Sequence, residues 1–402
     1  MKDVRRLLQS LEPFFDTEVT AGLKWSYEKA RAQGKILIPP PPQNAVNGEY
    51  SLGNIQWNEK TTWFFGLEEK ELPQHLAIYG RSGGGKTNCS FLILKQLIEH
   101  DKPFLIFDWK QSYRLLSKNF SIKLFTPGYN FNPFIFNPLD TSNIPKHLQK
   151  TYLRHLLSML INVYFKDLKL LSVEGVEYLL LKGIDYLSKE KFTFQDLYHW
   201  AANYKAISRE KDWKTSLMNV LYKLTTGPIG KVLNKDNLAI TPEDIISSRT
   251  IIELHWLGSP KDKSFIMQAL LLQLYYHFSQ QSPTQSLKFA IIIEEAHNIL
   301  LRHLEDYETV VEMILRQVRE YGVSLCLIDQ HPSLMSLPAL GTYTTICFNL
   351  RAREDINVMA SALTLEQDKE FIAQLKTGHA IVKLQDRYLA VANLSRCCFH
   401  WS

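Results

Sequence analysis

Apolar residues fall along this chain in two rhythms. Unbroken runs, LAIY at 76–79, PFLIFDWK at 103–110, KFAIIIEEAH from 288 and VSLCLIDQH at 323–331, are short and end in glycine or charge, which predicts buried strands. SIKLFTPG (121–128), RTIIELHW (249–256), TTICFNLR (344–351), HAIVKL (379–384) and RYLAVANL (387–394) extend the series, the last two as a hairpin. Between them, apolar positions three and four apart predict helices, as in Phe91, Leu94, Leu97 and Ile98, or from about Lys263 to Phe278. Strands alternating with helices predict an α/β fold built on a mostly parallel sheet.

Three stretches depart from that alternation. Residues 1–34 are helically periodic (Leu7, Leu8, Leu11, Phe14, Phe15, then Leu23, Trp25, Tyr27), and Pro39 to Pro42 break any helix into a stiff linker. This appendage either meets a neighbouring subunit or partner or packs on its own core. From Tyr50, YSLGNIQW and TTWFFGLEE alternate as a strand pair. Residues 143–235 carry only helical periodicity, and their aromatic stripes read as core. The expected organisation is a helical segment and linker (1–48), a first core half (49–142), a helical insertion (143–235) and a second core half (236–402).

Chemistry enters at residues 80–88, GRSGGGKTN. The spacing Gly80, Gly85, Lys86, Thr87 after a strand and before a helix is that of a P-loop. Gly80, Gly83, Gly84 and Gly85 let backbone N–H groups curl round a polyphosphate, flanked by Arg81, Ser82 and Asn88, with the helix start aimed at the same charge. Lys86 reaches the terminal phosphates and the Thr87 hydroxyl holds Mg²⁺, so ATP and Mg²⁺ are the expected ligands. Glu294 and Glu295 end a buried strand, where open α/β sheets place ligands: one carboxylate for the metal shell, the next to deprotonate water. Gln330 ends another strand, where an amide can bond both γ-phosphate and lytic water, and Asp329 beside it also needs a partner. Arg316 and Arg319, three apart before that strand, are either solvated charges or fingers delivered to a neighbouring subunit's nucleotide.

Composition limits the setting. The chain has 402 residues, 45% hydrophobic, and a net charge of +5, which permits a nucleic-acid partner without arguing for one. Five cysteines without CxxC spacing (Cys89, Cys326, Cys347, Cys397, Cys398) read as free thiols in a reducing cytoplasm. No uncharged apolar run approaches 18 residues, so neither a membrane span nor a signal peptide is expected.

The ordered blocks GRSGGGKT, LIFDWKQSY, IFNPLD, IIIEEAHNIL, LRQVREYGVSLCLIDQHPSL, TTICFNLRAREDINVMASAL and TGHAIVKL resemble the HerA branch of the HerA/FtsK superfamily, from about Leu52 to Leu394. The resemblance implies a RecA-like ATPase core and a homohexameric ring that threads double-stranded DNA. It also implies a nuclease or other effector as partner, in DNA end processing or anti-phage defence. It matches Lys86 and Thr87 to Walker A, Glu294 and Glu295 to Walker B, Gln330 to the sensor and Arg319 to the finger. Walker B usually reads DE, so Glu294 is a departure, and a preceding β-barrel is replaced by the helical appendage. In such a ring Lys110, Arg114, Arg302 and His303 are placed for a pore or are plain surface charge, while His297 orients the Walker B turn rather than binding metal. A scaffold that assembles and activates an effector enzyme, with little or no movement on DNA, is the alternative.

Overall fold

The computed structural model describes residues 21–23, 25, 26, 29, 36–57, 60–165, 170–188, 191–234, 239–302 and 308–394. Most of the N-terminal appendage, His303, Cys397 and Cys398 lie outside these residues. The strands are β1 (Tyr50–Trp57), β2 (Lys60–Leu67), β3 (Leu76–Tyr79), β4 (Phe104–Asp108), β5 (Lys123–Phe125), β6 (Arg249–Glu253), β7 (Thr284–Glu294), β8 (Tyr321–Asp329), β9 (Thr344–Cys347), β10 (His379–Leu384) and β11 (Tyr388–Asn393). The described residues divide into two compact units. The first takes residues up to Glu99 with Ile328–Leu334 and the chain from Leu340 on; the second takes His100–Leu327 and Met335–Ala339.

In the first unit the strand order is β2-β1-β11-β10-β9-β3. β10 and β11 form the expected hairpin, His379 opposite Asn393, and β1 pairs antiparallel with both β11 and β2. β3 lies parallel to β9, Tyr79 beside Cys347. Each of its four residues is buried, which is why LAIY is apolar throughout. The helix Lys86–Glu99 packs Leu94 and Leu97 into this core, and its Gln96 Oε1 accepts from Ser51 N at 3.0 Å. Cys89 and Cys347 are buried free thiols here, as is Cys326 in the second unit.

In the second unit the order is β8-β7-β4-β6-β5, with β4 parallel to β6 and β7, and β5 parallel to β6. Phe104 to Phe107 and Ile291 to Ile293 are at most 2% exposed, so both faces of these strands are covered. The helix Pro260–Phe278 starts three residues before the periodicity shows, because Ser259 caps it and Pro260 takes a first-turn position where no N–H is needed. Helices Gln149–Tyr164, Leu170–Leu187, Phe194–Asn203, Glu210–Thr225 and Gly227–Leu233 follow one another, with no strand among the described residues of 143–235. Several aromatics of this stretch are not core: Tyr178, Tyr186 and Tyr222 are 47%, 69% and 57% exposed. Among the described residues no helix is long and apolar enough to cross a membrane.

Candidate active site

The first unit carries the glycine-rich turn. β3 ends at Tyr79 and the chain turns through residues 80–85 before the helix starts at Lys86. Phe348, fully buried just past β9, lies against the turn: a Cβ at Gly80 would meet Phe348 Cβ at 2.6 Å, and one at Gly85 would meet its ring at 2.7 Å. Glycine is therefore demanded at these two places by packing as well as by phosphate approach. Arg81 N donates to Asn349 O at 2.8 Å and Arg81 Nε to Asn349 Oδ1 at 3.0 Å. The Asn349 amide donates to Ala373 O and Leu375 O, and Gly378 N donates to Gly84 O at 3.1 Å. The loop is thus shaped in advance by groups outside the motif. Lys86 Nζ donates to Gly80 O at 2.7 Å and Arg81 O at 3.2 Å, folded over the turn it would share with a phosphate. Ser82, Gly83 and Thr87 are exposed, and Asn88 is half-buried.

The second unit supplies a row of carboxylates. Asp108, Glu253 and Glu294 are the last residues of β4, β6 and β7, three neighbouring parallel strands, and are 0%, 0% and 8% exposed. Asp108 is bound to its own loop, accepting from Lys110 N, Ser112 N and Tyr113 N at 3.0 Å each. Burial nevertheless pushes its carboxyl up, against those three N–H groups. Glu253 is gripped by both ends of the Arg114 guanidinium fork. Removing Arg114 strands a buried carboxylate. Arg114→Ala is expected to cost about 3 kcal/mol, the low end of the range for breaking a buried pair because Arg114 is itself 42% exposed. An unchanged thermal midpoint would show that Glu253 does not depend on it.

Glu294 accepts from the Tyr113 hydroxyl at 3.1 Å through Oε1, while its buried Oε2 has no hydrogen-bond partner among the described residues. Burial first, then the Asp108 charge, push its carboxyl up to about 7; the Tyr113 hydroxyl and Lys110 pull the other way. An orphaned carboxylate oxygen among acidic groups fits a hard divalent cation, so Mg²⁺ is compatible with glutamate at this position. Glu295 follows with left-handed backbone, φ 50° and ψ 49°, where a side chain other than glycine is strained. Lys110 Nζ is paired with Glu295 Oε1, and His297 Nδ1 lies 3.9 Å from Oε2. His297 also meets the Asn298 amide at 3.3 Å.

Asp329, 1% exposed, accepts from His331 N at 2.8 Å in the first unit, and Gln330 beside it is half-buried. The helix carrying the arginines is Val310–Gln317, and a 3₁₀ turn, Val318–Glu320, follows it. Arg316 and Arg319 therefore sit on different elements rather than one helix face. The chain enters β8 at Tyr321 without a loop, and the tighter turn makes that entry. Arg316 Nη2 bonds Glu308 at 3.0 Å; Arg319 and Arg302 are exposed. Lys110 and Arg114, expected at a pore or as bare surface charge, are paired with Glu295, just past β7, and with Glu253, the last residue of β6.

Sequence reasoning missed Phe348, Asn349, Tyr113 and the roles of Asp108 and Glu253. The two acids carry the same mark as Glu294, an apolar strand ending in a carboxylate. The other three carry none.

A family model for the central domain of the helicase HerA matches residues 50–271. A Methanocaldococcus jannaschii protein named Probable helicase MJ1565 is 22% identical over 355 residues, 84% of this chain and 64% of that protein. The chain thus spans less than two thirds of that relative's length. Among solved structures, VirB4 of Thermoanaerobacter pseudethanolicus is similar at a TM-score of 0.67 and 11% identity, over 88% of this chain and 99% of the other. The plasmid coupling protein TrwB in complex with ADP and Mg²⁺ is similar at 0.63 and 14%, over 88% and 91%. At such identities the likeness speaks for the fold alone: an α/β core, mostly parallel in its sheet.

Proposed function

The chain belongs to the family of the HerA helicase central domain, and from that premise we propose that it hydrolyses ATP within a homo-oligomeric ring, a hexamer, and couples turnover to movement along double-stranded DNA. The step from Glu294 to Glu295 at the end of β7 carries this reading, because it places a buried carboxylate with an orphaned oxygen next to a second, more accessible one. The 80–88 turn takes the phosphates, with Lys86 as the reaching cation. Thr87 and Glu294 are the residues to hold Mg²⁺, which when bound neutralises developing phosphate charge. Glu295 accepts the proton of the attacking water, and Gln330 orients that water.

Arg319, exposed and without an assigned role in its own subunit's carboxylate row, is proposed as a finger for a neighbour. Arg319→Ala subunits mixed with wild type are expected to depress activity more than in proportion to their share. A strictly proportional loss removes the role in trans.

An effector enzyme, a nuclease or another, is the proposed partner, in end processing or defence. The exposed Tyr178, Tyr186 and Tyr222 of the helical segment support protein docking and favour the second reading, a scaffold that activates such an enzyme with little movement on DNA. ATP turnover with and without long duplex DNA, at several salt concentrations, separates the two. Salt-sensitive stimulation by duplex supports the motor. No binding and no stimulation, while the effector stimulates, supports the scaffold.

A further inference from the structure

Two cations on one short loop meet glutamates at or just past strand ends, Arg114 with Glu253 and Lys110 with Glu295, and they are held very differently. Arg114 grips a glutamate that is fully buried. Lys110 is 57% exposed, and its partner Glu295 is 13% exposed. The loop that presents Lys110 is rigid: Asp108 accepts three of its N–H groups, Gln111 takes the left-handed conformation at φ 66°, and Tyr113 is buried against Glu294. Lys263 covers the Trp109 ring at 4.7 Å. Only the flexible four-carbon stem of Lys110 is left to move.

We propose that Lys110 is a positioning residue that restrains Glu295, and that phosphate anions release it by drawing the ammonium away. The proposal rests on the reading of Glu295 as the group that activates water. A carboxylate with one oxygen tied to an ammonium has that oxygen turned toward the ammonium rather than toward water. Arg114 cannot be the moving part, because its departure strands a carboxylate that no water reaches. Lys110 can exchange partners, since both ends of its pair touch solvent.

The released ammonium suits phosphate. Between Trp109 and Asn137 the chain carries Lys110, Arg114, Lys118 and Lys123 and no aspartate or glutamate, so an approaching phosphate chain meets no repulsion from this segment. The same chemistry is offered by a DNA backbone and by inorganic polyphosphate.

Steady-state ATP turnover of the full chain tests this with wild type, Lys110→Ala and Lys110→Arg, alone and with long duplex DNA or inorganic polyphosphate. Without any polyanion, Lys110→Ala is expected to raise kcat about fivefold or more with KM for ATP unchanged, whereas Lys110→Arg keeps the low rate because it restores the pair. Wild-type basal turnover is expected to rise between roughly 50 and 300 mM salt as the exposed pair is screened, and Lys110→Ala to stay flat. Stimulation of wild type by both anions supports release by phosphate as such; stimulation by duplex alone assigns the DNA backbone as the source. A basal rate in Lys110→Ala equal to or below wild type overturns the restraint, and no stimulation by either anion overturns the release. Glu295→Gln run alongside keeps the failures apart: if it turns over normally, the assignment of Glu295 has failed.

Discussion

Glu295→Gln is expected to bind ATP and leave it unhydrolysed, with turnover reduced about 10²- to 10⁴-fold, the usual worth of a positioned general base. Glutamine keeps the shape and the left-handed backbone at φ 50°, so the turn after β7 is preserved. What it loses is the ability to accept a proton. Lys110 loses an ionic partner at the same time, but at 57% exposure its ammonium is readily hydrated, and the fold is not expected to suffer. Single-turnover hydrolysis measured beside equilibrium ATP binding is the test, and oligomer size in the ATP-bound state is a second readout. An unaltered hydrolysis rate removes Glu295 from the chemistry.

Lys86→Ala is expected to weaken ATP binding roughly 100-fold, about 3 kcal/mol, the upper worth of a charge-assisted hydrogen bond. Its contacts to Gly80 O and Arg81 O are ones an added phosphate would replace. The turn itself does not depend on them. Arg81 stays fastened to Asn349, and Gly84 to Gly378. Melting temperature is therefore expected to hold while nucleotide affinity falls, a separation read by thermal melting beside fluorescent-nucleotide titration. A parallel loss of both would mean that the lysine shapes the loop rather than the ligand.

These two expectations draw unequally on sequence and structure. Lys86 was legible from spacing alone, because the P-loop is a local device: a glycine-rich turn of fixed length between a strand and a helix. Glu294 and Glu295 were legible in the same way, as acids ending an apolar run. The strands were legible too, since burial on both faces leaves no polar residue in FLIF or AIII. Boundaries were less so. β7 runs back to include Thr284, Gln285 and Ser286, which carry no apolar signal, and the arginine-bearing helix gives way to a 3₁₀ turn that periodicity does not distinguish.

Partnerships between distant residues were not legible at all. Asp108 and Glu294 are 186 positions apart and share a carboxylate row because β4 pairs with β7, a register no local pattern encodes. The same pairing brings Lys110 to Glu295, and it turned two cations expected at a pore or as bare surface charge into partners of acids at or just past strand ends. Phe348 looked like one more apolar residue, yet it is the wall that makes glycine obligatory in the turn. By itself, then, the sequence determined where the glycine-rich turn and the acids closing apolar strands fall, because these are short local patterns. The tertiary structure decided which of them are restrained, buried or supported, because desolvation and pairing depend on neighbours that only strand order brings together.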